Sequence, residues 1–225
     1  MKECTKYTDS PCSIPRSSVP SQLARPSGRR SEFQPICGIF CVSPVLVTAG
    51  TATTLPGITV HEVAPGHFSH GRALRRAPSA VRRVLQSAAF VEGWAHYAEE
   101  MCVEEGFCSS DPRFAVGVWL EALVRVTRLA CAIGVHTAGM TVEEGARRFE
   151  ADTHLTGSAA RSEAQRATFD PTYGRYTWGK LMIMDLRERA RKDWGAGFTL
   201  RRFHTALMEL GSPPLGLLGT AIERG

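Results

Sequence analysis

The stretch HEVAPGH at residues 61–67 and the later stretch VEGWAHYAE at residues 91–99 decide how this chain folds. Two imidazoles and a downstream glutamate are ligands that a catalytic zinc ion uses when it keeps a fourth position open for water. A glutamate next to the first histidine is the usual proton acceptor in such sites. The two stretches therefore predict one metal centre carried by two helical segments.

The spacing of the two histidines requires a distorted helix. His61 and His67 are six residues apart, and six helical steps turn roughly 240°, so a regular helix would point the two rings in different directions. Pro65 removes a backbone donor and Gly66 permits unusual dihedral angles. We therefore expect a helix break at Pro65 that brings His67 back towards His61.

The second stretch supplies two carboxylates on one face of a helix. Glu92 and Glu99 are seven residues apart, which is about two helical turns. One carboxylate can bind the metal while the other orients a ligand histidine. The sequence predicts a metal site with His61 and His67 as ligands, one of Glu92 and Glu99 as the third ligand, and Glu62 as the general base. A single histidine is more often a packed or surface residue, so the prediction depends on the combination.

Five blocks together also resemble a known family. The blocks HEVAPGH, EGWAHYAE, RLACAIGVH, RYTWGK and FTLRRFHTALMELGSPPL are similar, in this order, to the signature blocks of the bacterial family called domain of unknown function 885. That family is similar to the gluzincin metallopeptidases, which are largely helical and bind zinc through two histidines and a downstream glutamate. The resemblance covers about residues 54–218 and implies an all-α, gluzincin-like fold.

The resemblance implies zinc ligands at His61, His67 and Glu92, an orienting role for Glu99, and further site residues. His136 and Tyr176 match positions that would donate hydrogen bonds to the oxyanion of a tetrahedral intermediate. The alternatives are a loop histidine at His136 and a core aromatic residue at Tyr176.

Two basic residues, Arg128 and Lys180, also match family positions and could pair with a substrate carboxylate. Ion pairs with Glu163 or Asp185 that only support the fold are the alternative.

Composition is ordinary for a globular protein, with 43% apolar and 22% charged residues among 225. The net charge of +5 is scattered among acidic residues, so we expect no nucleic-acid partner. Seven cysteines without a CxxC pair favour free thiols in the cytoplasm. The oligomeric state is left open.

The first fifty residues differ from the rest. Residues 1–50 are predicted to be a disordered or poorly packed arm, and residues 51–225 a helical zinc-peptidase-like domain. The apolar run at residues 36–49 lies behind Arg29 and Arg30, which is an export-signal pattern, but it begins far from Met1. It also contains Pro44 and is too short to span a bilayer, so we expect no membrane span and no export signal.

Helices are predicted over most of the domain. They cover about residues 54–71, 73–86, 88–105, a segment opened by Asp111-Pro112, 142–153, 162–169, 176–194 and 200–210. In the segment after Pro112, the i, i+3, i+4, i+7 spacing predicts a buried stripe. Its members are Val116, Trp119, Leu120 and Leu123, and Arg125 and Arg128 lie off it.

Three functional hypotheses follow. The first is a zinc metallopeptidase acting on short peptides. The second is a truncated relative that binds metal without turnover, because family members usually carry a helical region upstream of the HExxPGH block that is almost entirely missing here. The third is a basic helical module that binds nucleic acid or a partner protein, and it rests only on the net charge of +5.

Overall fold

A computed structural model describes residues 51–224, and these residues form helices and connecting turns with no β-strand. The all-α prediction is confirmed for this part of the chain. The predicted arm at residues 1–50 lies outside the described residues. The α-helices are α1 (Thr51–Glu62), α2 (His67–Leu74), α3 (Ala80–Val84), α4 (Ala88–Glu104), α5 (Pro112–Ala138), α6 (Val142–Asp152), α7 (Gly157–Phe169), α8 (Arg175–Trp194), α9 (Leu200–Glu209) and α10 (Thr220–Arg224).

Local capping explains where two of these helices begin. The Asp111 side chain accepts a hydrogen bond from the backbone N–H of Arg113 and starts α5. Thr141 and Glu144 form a reciprocal capping box at the start of α6, as the sequence predicts.

The helix predicted over residues 73–86 is wrong. The chain leaves α2 at Leu74, and only the short helix α3 follows, from Ala80 to Val84. Pro78 explains the interruption, because proline lacks the backbone donor and disfavours a helical conformation in the residue before it.

The helices α4 and α8 pack closely at a pair of glycines. A Cβ atom on Gly93 would lie 2.5 Å from the Cα atom of Gly179, and a Cβ atom on Gly179 would lie 2.0 Å from the carbonyl oxygen of Ala89. Only glycine at both positions allows this approach. Further along both helices, Arg187 of α8 pairs with Glu104 of α4, so the two helices run in the same direction.

One hydrophobic core lies where α4, α8, α9 and α10 meet. Its largest buried members are Phe90, Tyr97, Ile183, Leu186, Phe203 and Leu207. A second core joins α5, α6 and α7 around Phe149 and Tyr173. These cores hold α4 and α5 in place, and both helices contribute to the site described below.

The buried stripe predicted for α5 is wrong. Val116 is 50% exposed, and Trp119 and Leu123 are each 45% exposed. The buried face instead carries Phe114, Gly117, Val118, Val124 and Arg125. The helix is apolar on two faces, so its periodicity alone does not select one. Packing selects the face with Gly117, where a Cβ atom would lie 2.1 Å from the carbonyl oxygen of Thr53 in α1.

Among the described residues, none of the helices has the length and apolarity needed to cross a membrane.

Candidate metal centre

The break between α1 and α2 brings the two motif histidines together. His61 lies in the last turn of α1 and His67 begins α2, and their ring centroids are 4.7 Å apart at an interplanar angle of 88°. The backbone N–H of Gly66 donates to the carbonyl oxygen of Val60 at 3.0 Å, which closes the break. The break predicted at Pro65 is therefore confirmed.

Two contacts maintain this geometry. A Cβ atom at position 66 would lie 1.8 Å from the carbonyl oxygen of His61, so this close approach requires glycine. The indole Nε1 of Trp94 donates to the carbonyl oxygen of Pro65 at 3.0 Å and ties the break to α4. Helix α4 thus supports the break directly.

Glu92 of α4 reaches both histidines with one oxygen. Its Oε2 lies 3.3 Å from Nε2 of His67 and 3.5 Å from Nε2 of His61. Ligand atoms about 2.0–2.1 Å from a tetrahedral metal lie roughly 3.3–3.4 Å from one another, so these separations match those of ligands around a shared ion. Burial opposes ionisation of Glu92, but hydrogen bonds from the two imidazoles outweigh it and hold the pKa of this carboxyl well below its usual range.

Glu62 faces the same point. Ligand atoms of His61, Glu62 and His67 all lie within 4.8 Å of one another. Oε2 of Glu62 is buried and has no hydrogen-bond partner among the described residues. A buried carboxylate oxygen without a partner is costly, so this oxygen is available to a polar ligand between these side chains. The donor set of two imidazoles with a carboxylate fits a divalent metal such as zinc.

Glu99 fixes the orientation of His61. The Glu99 side chain is fully buried, and its Oε1 lies 2.5 Å from Nδ1 of His61. A proton held between these two atoms leaves Nε2 of His61 with a free lone pair, which is the form that binds metal. The position is the one expected of the orienting carboxylate.

Arg125 of α5, which sequence reasoning missed, compensates the buried charge of Glu99. Its Nη1 donates to Oε2 of Glu99 at 2.8 Å, and only 5% of Arg125 is exposed. Burial raises the pKa of Glu99, but the Arg125 guanidinium and hydrogen bonds from His61 and His96 outweigh it, so the pKa lies well below its usual range. The available signal was the spacing of Arg125 from Phe114 and Val118 on the same face of α5, which the wrong choice of stripe concealed.

Of the two residues predicted to stabilise an oxyanion, His136 lies away from this cluster. It sits in the last turn of α5, and its Nε2 is 2.9 Å from the carbonyl oxygen of Ala167. Eleven residues of helix separate it from Arg125, which is roughly 16 Å along the axis. The contact joins α5 to the end of α7.

Tyr176 lies in the first turn of α8. The guanidinium groups of Arg128 and Arg175 lie 5.5 and 5.3 Å from the centre of its ring. Its hydroxyl has no hydrogen-bond partner among residues 51–224.

The two basic residues predicted to bind substrate both form ion pairs. Arg128 donates from Nε and Nη2 to Glu163 at 2.7 and 2.8 Å. Nζ of Lys180 lies 2.5 Å from Oε2 of Glu100 instead of pairing with Asp185. Arg128 therefore forms the ion pair with Glu163 that is the alternative to substrate binding. Lys180 pairs with Glu100, a partner that the sequence did not indicate.

The family follows from comparison with known proteins. A model of the family described as "Bacterial protein of unknown function (DUF885)" matches residues 15–222. The chain belongs to this family. The resemblance drawn from the five sequence blocks is thereby confirmed at the level of the family, whereas its gluzincin-like chemistry stays a prediction.

Two solved structures resemble the DUF885 chain. One is described as "putative lipoprotein" from Colwellia psychrerythraea, with 28% identity, a TM-score of 0.73, and coverage of 76% of this chain and 30% of that chain. The other, from Shewanella oneidensis, is described as a "putative lipoprotein of unknown function", with 27% identity, a TM-score of 0.71, and coverage of 75% and 31%. This chain therefore spans about a third of the length of these proteins. No curated protein matches it.

An open pocket of about 570 Å³ adjoins the metal centre. Its lining includes Pro65 and Trp94, which hold the helix break, together with His204 of α9. It contains none of the four side chains that converge on the candidate metal position. The candidate metal site is therefore the side-chain cluster and not this pocket.

Proposed function

We propose that this DUF885 chain is a zinc-dependent hydrolase, a gluzincin-like metallopeptidase that cleaves short peptides. The observation that carries the proposal is the position of Oε2 of Glu92, at 3.3 and 3.5 Å from the two Nε2 atoms of His67 and His61. Structural ion pairs of histidine with glutamate do not require two imidazoles to share one oxygen at the spacing of metal ligands.

Zinc would be held by His61, His67 and Glu92. When bound, zinc lowers the pKa of its water to about 7 and polarises a carbonyl group. The carboxylate of Glu62, with its buried and unpartnered oxygen, accepts a proton from the attacking water and returns it to the leaving amine. Glu99 keeps Nδ1 of His61 protonated, so that Nε2 faces the metal position.

The test begins with metal content and hydrolysis. The full chain is loaded with zinc, dialysed, and analysed for about one bound zinc per chain. It is then assayed on a peptide library with and without a chelator. Cleavage that the chelator abolishes is the expected result.

The variant Glu62→Gln separates binding from catalysis. It should keep its zinc and lose hydrolysis by about 10²- to 10⁴-fold, because it loses the base but no ligand. Glu105→Gln, an exposed change just after α4, is the matched control and should behave as the wild type. Absence of zinc after loading, or unchanged cleavage by Glu62→Gln, would refute the proposal.

A second candidate is a protein that binds zinc without hydrolysis. It is favoured by the position of His136, one of the two predicted oxyanion donors, because its Nε2 lies against the carbonyl oxygen of Ala167 and away from the candidate metal position. It predicts the same zinc content with no cleavage of any peptide in the library. Any chelator-sensitive cleavage lost in Glu62→Gln rejects it.

A further inference from the structure

Three basic residues of α5 and α8, Arg128, Lys180 and Arg175, are candidates for binding a negatively charged group of the substrate. Arg128 and Lys180 already direct their charges at Glu163 and Glu100. Arg128 uses both Nε and Nη2, the two donors of one guanidinium edge, on a single carboxylate. The Nε and Nη2 edge of Arg128 is therefore already occupied, and the ammonium group of Lys180 is already paired.

Arg175, in the first turn of α8, is bound differently. All its hydrogen bonds come from Nη1, which donates to the carboxylate of Asp170 at 3.0 and 3.1 Å and to both oxygens of Thr172. Within residues 51–224, its Nε and Nη2 have no partner. The side chain is 16% exposed and also stacks on Tyr176. The hydrogen bonds of Nη1 thus fix the position of the guanidinium group. The edge formed by Nε and Nη2, which suits a bidentate carboxylate, remains available within residues 51–224.

Helix packing places Arg175 close to Glu92, at the neighbouring first turns of α8 and α4. The parallel helices α4 and α8 touch at Gly93 and Gly179. Arg175 lies four residues before Gly179, about 6 Å back along α8, and Glu92 immediately precedes Gly93 in α4. The first turns of both helices therefore lie side by side.

Electrostatics agree with this placement. Burial lowers the pKa of Arg175, but the hydrogen bond to Asp170 and the charges of Tyr176, Asp170 and Glu92 outweigh it and raise the pKa. Glu92 is therefore close enough to act on the guanidinium. The positive end of the α8 dipole adds to the attraction for an anion at the same place.

We propose that Arg175 binds a carboxylate of the peptide substrate through its open Nε and Nη2 edge. The inference rests on the proposed peptidase function and adds a substrate class, peptides with a carboxylate close to the cleaved bond. The carboxylate is either the free C-terminus or an acidic side chain, since both present the same two oxygens. Asp170 and Thr172 act as positioning residues that hold the guanidinium.

The experiment compares matched peptides on the zinc-loaded full chain. Each peptide is offered as the free acid and as the C-terminal amide, and each amide is offered with Glu or Gln beside the cleaved bond. We expect Arg175→Met to lower kcat/KM about 10- to 100-fold for the carboxylate-bearing peptides, as expected for a lost charge-assisted pair, and to leave the neutral peptides unchanged. A loss of rate for the free acids identifies the carboxylate as the C-terminus. A loss of rate for the amides with Glu identifies it as an acidic side chain. Arg189→Met is the matched control, since Arg189 is also on α8 and faces an aspartate, Asp185.

A binding measurement keeps this inference distinct from the proposed function. Calorimetry on the zinc-loaded Glu62→Gln protein compares the free-acid and neutral peptides without turnover. Weaker binding of the carboxylate peptides alone in the Glu62→Gln/Arg175→Met double variant supports the role of Arg175, even if the library shows no cleavage. Equal losses for charged and neutral peptides, or no loss for either, overturn it, even if the protein is an active peptidase.

Discussion

Two arginines one turn apart on α5 belong to two different clusters of charged side chains. Arg125 is 5% exposed and donates to the buried Glu99, which in turn holds His61. Arg128 donates twice to Glu163, which also accepts the hydroxyl of Tyr173. The first cluster leads to the candidate metal centre, and the second joins α5 to α7 and the start of α8.

The two clusters differ in whether all their buried polar atoms have hydrogen-bond partners. In the Arg128 cluster the two donors of one edge meet one carboxylate, so the group is closed and stabilises packing. In the Arg125 cluster the chain continues through Glu99 and His61 to Oε2 of Glu92. Glu62 lies in the same cluster, and its Oε2 has no hydrogen-bond partner among residues 51–224. A closed ion pair holds helices together, whereas a cluster that ends in an unpartnered buried atom is suited to receive a ligand.

The strongest test removes the charge of Arg125. In Arg125→Met, Glu99 stays buried without its counter-charge, and we expect the free energy of unfolding to fall by about 3–5 kcal/mol. Urea denaturation of the metal-free protein measures this loss. Zinc affinity, measured by competition with a chromogenic chelator, should also fall about 10- to 100-fold, because Glu99 no longer orients His61 firmly.

The double variant Arg125→Met/Glu99→Gln provides the control for this prediction. It removes both charges, so it should recover part of the stability while zinc affinity stays low. Wild-type zinc affinity in either variant would contradict the orienting role of Glu99.

The matching change in the second cluster should affect stability alone. Glu163→Gln removes the charged partner of Arg128 and Tyr173, and we expect a loss of about 2 kcal/mol in urea denaturation, since hydrogen bonds to a charged group contribute about 1.5–3 kcal/mol. Zinc affinity should not change. A fall in zinc affinity comparable to that of Arg125→Met would show that the two clusters are coupled and would remove the distinction between them.

Sequence patterns predicted the parts of this molecule that local chemistry determines. The capping box at Thr141, the start of α5 at Asp111 and the break at Pro65 each depend on residues within a few positions of one another. The shared face of Glu92 and Glu99 depends only on helical periodicity.

Contacts between distant helices were harder to predict. Arg125 and Glu99 are 26 residues apart, and nothing near either residue in the sequence marks the pair. The sequence pattern favours the wrong face of α5 because Trp119 and Leu123 give a helical stripe as regular as that of Phe114 and Val118. Which stripe is buried depends on where α1 packs, and that information is not local.

His204, whose ring packs edge-on against Trp94, predicts a pH effect on stability. His204 of α9 lies 2.9 Å from the hydroxyl of Tyr97, and burial, with a smaller contribution from Arg187, lowers its pKa to about 4. The unfolded chain takes up a proton near pH 6.5 that the folded chain does not, so stability should fall as the pH drops from 6.5 towards 4. Below pH 4 this contribution should level off.

Comparison with His204→Gln isolates this effect from the other histidines. Between pH 7 and pH 5 the unfolding free energy of the wild type should fall by about 1–2 kcal/mol more than that of the variant. Denaturant titrations at several pH values measure both slopes. Parallel pH profiles would mean that His204 ionises equally well in the folded and unfolded protein.

The smallest expected effect comes from the exposed face of α5. Trp119 is 45% exposed, so Trp119→Gln should change the free energy of unfolding by no more than about 0.5 kcal/mol. Phe114, on the buried face and 3% exposed, is the matched aromatic control, and Phe114→Ala should cost about 3–5 kcal/mol. Urea denaturation decides between the two faces. A loss of several kcal/mol in Trp119→Gln would mean that this stripe is buried in solution, as the sequence pattern alone predicts, and that a further surface covers it.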